Sequence, residues 1–451
     1  SENPNERCAM TAAREIWISF LIGLMGFLAR VEAQPIHDSS QESAQGRFVR
    51  LWWFEPGLEH GNPMPDPRFR VNAPEVVLDP RFAYRKEVRS SGMMHIRMEE
   101  DLLRIDGAEL YLELWGGHPG TAGKRVTLNG RTTYEIPEVG TAAGQCTHQY
   151  PIFRLKRTDL VSGYNALQFA CDRGSSFWGH FIVDNACLRA LLPRSHPDLA
   201  ASGLQDFDAA VVVRPRPDAE VFEVSLQATP EALSRIARVD YFGFFEGYDE
   251  NGNTLARDWH GMSKQRRPYG HLGSAEAPPF AIPWDTSMLP DQQDMAVRAT
   301  VTFKDAPQLI YETAARTGLA TRRARAAAVK LLPTGEKPVP FWSRAGRKRV
   351  AAILVDVDPA RIERAELHTV VWDGGRGNVR EYFTFNGHAL EVAGNGRHDV
   401  IYTRLPVPTG LIRQGRNEIV LLSDTDHHGI EILEPGPALV IRYRTEDPSR
   451  E

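Results

Sequence analysis

The chain has 451 residues, 42% hydrophobic and 25% charged, a globular composition that excludes wholesale disorder. Such a length allows roughly two to four domains, each able to bury its own core. A net charge of −5 and a pI near 6.3 exclude the concentrated basic face of a nucleic-acid binder.

Taken in chain order, Met10 to Arg14 gives a short basic start, residues 16–29 an apolar run, and Val31-Glu32-Ala33 a small–x–small cleavage pattern. Residues 10–33 therefore read as a secretory signal peptide, with residues 1–9 ahead of it. The apolar run is shorter than the roughly 20 residues of a membrane span, although Arg30 after it leaves an uncleaved anchor open. No later stretch reads as a span, so the expected product is secreted, at the cell surface or periplasmic. Beyond the signal lie Cys146, Cys171 and Cys187. An exported chain can join two of them, with Cys171–Cys187 the preferred pair and three buried thiols the alternative.

From residue 46, short alternating apolar runs bounded by Gly, Pro, Asn and Asp read as strands, at 108–115, 124–128, 166–171, 180–183 and 186–192. In the first of these, Leu110, Leu112 and Leu114 share one strand face and predict a core stripe, while Trp115 falls off it. Further on, 222–228, 239–248 and 295–303 read as strands and 249–253 as a hairpin turn. Residues 307–330, rich in Ala and Arg, read as a helix or linker between domains.

Self-comparison reveals a repeat. Ala108-Glu109-Leu110, Trp115 and Asn129-Gly130 match Ala365-Glu366-Leu367, Trp372 and Asn386-Gly387. Four residues separate triplet from Trp in each set, and thirteen separate Trp from Asn. A third landmark, Gly-x-Asn-x-Leu/Ile, places Asn165 36 positions after Asn129 and Asn417 31 after Asn386. Asn-Gly suits a tight turn with positive φ, and the third landmark starts a strand after a turn.

The segments 126–130, 160–167 and 181–188 resemble the galactose-binding-like jelly-roll family, and 383–387 with 411–421 look like the same elements again. Tyr241 to Asn253, Trp284-Asp285-Thr286 and 297–303 resemble an immunoglobulin-like domain that lacks the Cys…Trp…Cys pattern. These resemblances imply an all-β fold of three β-sandwich domains: jelly roll at 46–193, immunoglobulin-like at 205–312 and jelly roll at 330–446. Asp184 matches the position where such jelly rolls hold a structural calcium; no other cofactor is implied.

Sugar rings need flat aromatic faces and planar polar partners. The candidate ligand-binding residues are Trp115, His118, Trp178 and His180 in the first copy, and Trp372, Asp373, His427 and His428 in the second. Trp178, in a Gly/Ser-flanked loop, leads; the matched spacing of Trp115 and Trp372 also fits packing. Asp249-x-Asn251-x-Asn253 lacks the Glu of a calcium loop. Asp424, Asp426, His427 and His428 fit either a metal-binding tip or a polar loop. No nucleophile elbow, phosphate loop, dinucleotide fingerprint or His-Glu-x-x-His occurs. The sequence thus points to recognition of an extracellular polysaccharide or glycan without catalysis. Two rivals are a glycoside hydrolase or polysaccharide lyase with a site between modules, and a structural part of a surface or secreted assembly.

Overall fold

The computed structural model describes residues 45–54, 69–71, 93–117, 120–137, 146–172, 181–217, 220–248, 255, 257–264, 266–323, 326–343, 347–373, 383–390, 399–422 and 429–445. The signal segment 10–33, His118, the 249–253 turn, Trp178, His180, His427 and His428 lie outside them.

Nearly all regular structure is antiparallel strand, with short helices at Pro197–Ala201 and Pro230–Arg235. Each half of the repeat forms two facing sheets with the same strand order. In the first copy one sheet runs Arg47–Trp53, Phe181–Leu192, Gly107–Trp115, Ile152–Leu155. The other runs Met93–Met98, Gly163–Ala170, Arg125–Leu128, Thr132–Glu135. The second copy repeats this as Ala327–Glu336, Ala438–Arg444, Ile362–Asp373, Asp399–Pro406, faced by Lys348–Val355, Gly415–Leu422, Phe383–Phe385, His388–Leu390, with the two layers joined at one edge where Thr334 and Glu336 pair with Ile353 and Ala352. The core stripe is as the alternation requires: Leu110, Leu112 and Leu114 are buried between the sheets. Burying each of them contributes about 1.5–3 kcal/mol.

The repeated asparagines explain why the spacing is kept. Asn129 and Asn386 adopt φ of 50° and 49° and are followed by Gly130 and Gly387, also at positive φ, where Asn and Gly are least strained. The Asn129 amide donates to Asp159 O (2.8 Å) and to Asn165 Oδ1 (2.9 Å), and its own Oδ1 accepts from Ala166 N (2.8 Å). Asn386 repeats this with Leu411 O, Asn417 Oδ1 and Glu418 N, each at 2.8 Å. Asn165 then closes the loop before its strand through Val161, and Asn417 does so through Arg413. The landmarks are one hydrogen-bond network built twice.

Between the copies, Ile236–Glu246, Met295–Phe303 and Leu309–Glu312 extend the first copy's sheet, because Arg47–Trp53 pairs on one side with Phe181–Leu192 and on the other with Leu309–Glu312. A three-stranded sheet of Ala210–Pro215, Val221–Gln227 and Ile282–Asp285 packs on this extension, and the core runs unbroken from it into the first copy. The expected helix or linker at 307–330 is instead the strands Leu309–Glu312 and Arg316–Leu319 and the start of Ala327–Glu336. Leu309, Tyr311 and Leu319 are buried there, so pairing with the sheet overrides the helix propensity of the alanines.

The preferred Cys171–Cys187 disulfide is not formed; all three described cysteines are buried thiols. They occupy different clusters: Cys171 lies between the sheets, Cys187 on the outer face beside Tyr111 and Tyr150, and Cys146 at the junction with the second copy.

Candidate functional site

On the strand Gly107–Trp115 the residues opposite the leucine stripe are Glu109, Tyr111, Glu113 and Trp115, and they divide the outer face into three regions. At one end, Glu109 is fully buried between Arg47 (3.1 Å) and Arg189 (3.3 Å), and Glu312 pairs with both arginines. Burial would raise the Glu312 carboxyl, but Arg189, Arg47 and Arg298 outweigh it and hold it at about 2. This quartet ties the first copy to the Leu309–Glu312 strand and is structural.

The middle region collects rings and acids. Trp53 meets Tyr111 edge-on at 5.9 Å between centroids, and Tyr150 meets His148 at 4.9 Å. Tyr269 joins this group from the hairpin of Met262–Lys264 and Arg267–Tyr269. The Tyr111 hydroxyl accepts from Ser263 N (3.1 Å) and lies 3.4 Å from Glu113 Oε1. Arg266 of the same hairpin sits over Trp53 at 5.9 Å. His148 Nε2–H donates to Asp184 Oδ2 at 3.0 Å, which leaves His148 Nδ1 buried without a hydrogen-bond partner among the described residues. Asp184 itself stands at a β-bulge between Val183 and Asn185, which turns its side chain onto this face. Burial, then the charge of Glu113, Tyr111, Asp184 and Tyr269, pushes the Tyr150 phenol well above its ordinary value. These groups therefore share one electrostatic environment rather than scattered surface positions.

At the far end Trp115 enters an apolar junction with Cys146, Tyr248, Val370, Trp372 and Leu433. The Tyr248 hydroxyl donates to Gly436 O (2.9 Å) and accepts from Val370 N (3.0 Å), and its ring stacks on Tyr402 at 5.6 Å. Glu431, paired in register with Trp372, is buried there and its Oε1 has no partner among the described residues. Burial pushes its carboxyl up to about 7, tempered by the hydrogen bond from the Cys146 thiol.

Of the expected ligand residues, the structure brings Trp115 and Trp372 together, in that junction. Asp373 ends the strand Ile362–Asp373 beside Asp399 and Ile430. Asp184 lies in the ring-and-acid cluster, paired with His148. No group of three or more His, Cys, Asp or Glu side chains is arranged to hold a metal ion among the described residues.

No family model matches the chain, and no curated protein sequence matches it. Among solved structures it is similar to a β-porphyranase of glycoside hydrolase family 86 from the gut bacterium Bacteroides plebeius, at 12% identity and a TM-score of 0.24 over 52% of this chain and 37% of that one. A second family 86 enzyme, in complex with neoagarooctaose, matches at 11% identity and TM-score 0.24 over 54% and 34%. A β-glucuronidase of an uncultured Clostridium sp. matches at 11% and 0.18 over 67% and 49%. The chain spans about a third of the length of the first two. Likeness this slight carries no functional argument.

Sequence reasoning missed Tyr111, Glu113, His148, Tyr150 and Tyr269. Two of them were within reach, since alternation alone places Tyr111 and Glu113 off the leucine face. The others converge only through the fold.

Proposed function

We propose that this protein recognises an extracellular glycan without catalysis, through the ring-and-acid cluster on the outer face of the first copy. The observation that carries this reading is the residue exchange between copies. Trp115 pairs with His148 and Trp372 with Val400, so His148 and Val400 are equivalent positions. By the aligned triplets, Glu113 corresponds to Val370, and by register Cys187 corresponds to Ala438. The same fold therefore stands with valine where the first copy carries an imidazole and a carboxylate. Glu113 and His148, beside Trp53, Tyr111, Tyr150 and Tyr269 on a face that the hairpin of Met262–Lys264 and Arg267–Tyr269 packs against, are of the kinds that suit sugar hydroxyls and the CH faces of pyranose rings. The reading of residues 10–33 as a signal peptide supports an extracellular ligand.

Affinity electrophoresis of the protein through gels containing single polysaccharides tests this. Retardation is expected with at least one polysaccharide, and Tyr150→Ala is expected to weaken it at least tenfold. No retardation in any gel contradicts the proposal. Glu113 and Asp184 also supply two carboxylates to the cluster, so each polysaccharide is assayed for released reducing ends or unsaturated uronate. Release that disappears in Glu113→Gln would replace recognition by catalysis.

A further inference from the structure

The second copy has a core of its own. Its buried residues, from Leu332 to Ile441, form one cluster, and those of the first copy with the middle segment form another. The two bodies meet where Trp115, Cys146 and Tyr248 pack on Val370, Trp372 and Leu433, so parting there breaks neither core. Three backbone amides of the second copy donate across this boundary: Val370 N to the Tyr248 hydroxyl (3.0 Å), Tyr402 N to the Tyr269 hydroxyl (3.0 Å) and Glu434 N to Cys146 O (3.2 Å). Arg442 adds an ion pair with Glu220 (2.7 Å).

Glu431 stands inside the boundary. It is 6% exposed, its Oε1 has no hydrogen-bond partner among the described residues, and the Cys146 thiol reaches its carboxyl from the first copy. A thiol is a weak donor, so an ionised carboxylate here lacks the strong donors that would offset its desolvation. The charged and titratable groups around it are committed elsewhere. On its own copy Glu434 pairs with Lys337 (2.9 Å), Arg349 donates to Trp342 O (3.2 Å), and Arg404 donates to the Tyr402 hydroxyl (3.0 Å). His368 bonds the Tyr402 hydroxyl (2.8 Å) and Glu366 (3.2 Å). From the facing side come the Tyr248 and Tyr269 phenols, bonded as above, and His148, paired with Asp184 (3.0 Å). Among the described residues no cation supplies Glu431 with a counter-charge. Protonation removes the penalty, and so does parting of the two bodies, which wets the carboxylate.

We infer that Glu431 is a proton-operated latch: its neutral form keeps the second copy docked on the first, and its ionised form drives the two apart at this junction, uncovering Trp115, Trp372 and Tyr402. Burial pushes the docked carboxyl up to about 7 from an ordinary 4.5, so docking is tightest below about pH 4.5 and weakens until about pH 7. The loosening expected between pH 5 and pH 8 is on the order of 50–100-fold.

Hydrogen exchange of the full chain, resolved to single amides and normalised to the intrinsic rate at each pH, tests this. The amides of Val370, Tyr402 and Glu434 are expected to lose protection by that factor from pH 5 to pH 8. Those of Asn386 and Val407, bonded within the second copy to Glu418 O and Ala365 O, are expected to keep theirs. In Glu431→Gln, which stays neutral, the three crossing amides are expected to stay protected throughout. Constant protection of the three in the parent overturns the inference. So does a loss shared equally by Asn386 and Val407, which is unfolding rather than parting, or a folded Gln variant with the parent's pH dependence. The parent series decides alone where the variant does not fold.

Discussion

The two copies of the sandwich place the same strands, the same turn asparagines and a tryptophan at the same strand end, yet they fill the equivalent sheet face with different side chains. In the second copy the face carries His368, Val370, Trp372, Val400 and Tyr402. It is covered by Tyr248, whose hydroxyl bridges Val370 N and Gly436 O. Tyr402 is stacked on that ring, and its equivalent in the first copy by register, Tyr150, has His148 beside it instead. In the first copy, valine gives way to Glu113 and His148, and the face holds acids and phenols. Duplication has kept the parts that make the fold and released the parts that face outward. A buried carboxylate left without donors is costly, so the acids of the first copy's face need hydrogen-bond partners that the valines of the second do not.

That comparison breaks first, if it breaks, at the exchanged pair. Val370→Glu places a carboxylate beneath Tyr248 in an apolar junction and is expected to destabilise the chain by about 3–5 kcal/mol, whereas Glu113→Val is expected to stay within about 1 kcal/mol of the parent. Urea denaturation checks both; equal costs would mean that the two faces are not differently used. Next in size are the shared networks. Asn165→Ala and Asn417→Ala each remove the buried amide that bonds the loop backbone and the turn asparagine, and each is expected to cost about 2–3 kcal/mol. Similar losses sharpen the structural equivalence, while a loss in one copy alone denies it.

The junction adds a smaller, pH-dependent effect. With its carboxyl held at about 7 in the folded protein and near 4.5 when unfolded, Glu431 binds its proton more tightly in the folded state. Its contribution to stability is therefore full below about pH 4.5 and is lost as pH rises to about 7, by on the order of 3 kcal/mol at most. Thermal unfolding of the parent minus that of Glu431→Gln, measured from pH 4 to pH 8, should show this fall. A flat difference would place Glu431 in a wetter setting than its burial implies.

How much of this was legible in the sequence follows from the range of each interaction. The leucine stripe of residues 110, 112 and 114 and the Asn-Gly turns are local, fixed by alternation and by φ preference, and they could be read directly. The strands within 307–330 could not, because their stability comes from pairing with Arg47–Trp53 and Met295–Phe303, far away in the chain. Trp115 and Trp372 were visible as a matched pair, but only the fold reveals that both enter one junction. Asp184 was visible as an acid on a closing strand. Its partner His148 lies 36 residues earlier, and Tyr269 arrives from the middle segment, so the site that contains them has no sequence signature.

The central claim is that one copy binds and the other packs. Isothermal titration of the full chain with an oligosaccharide cut from the retained polysaccharide tests it most directly. One site per chain, lost in His148→Val and kept when Tyr402 is replaced by Phe, is the expected result; two sites per chain, or one that survives His148→Val, would contradict it.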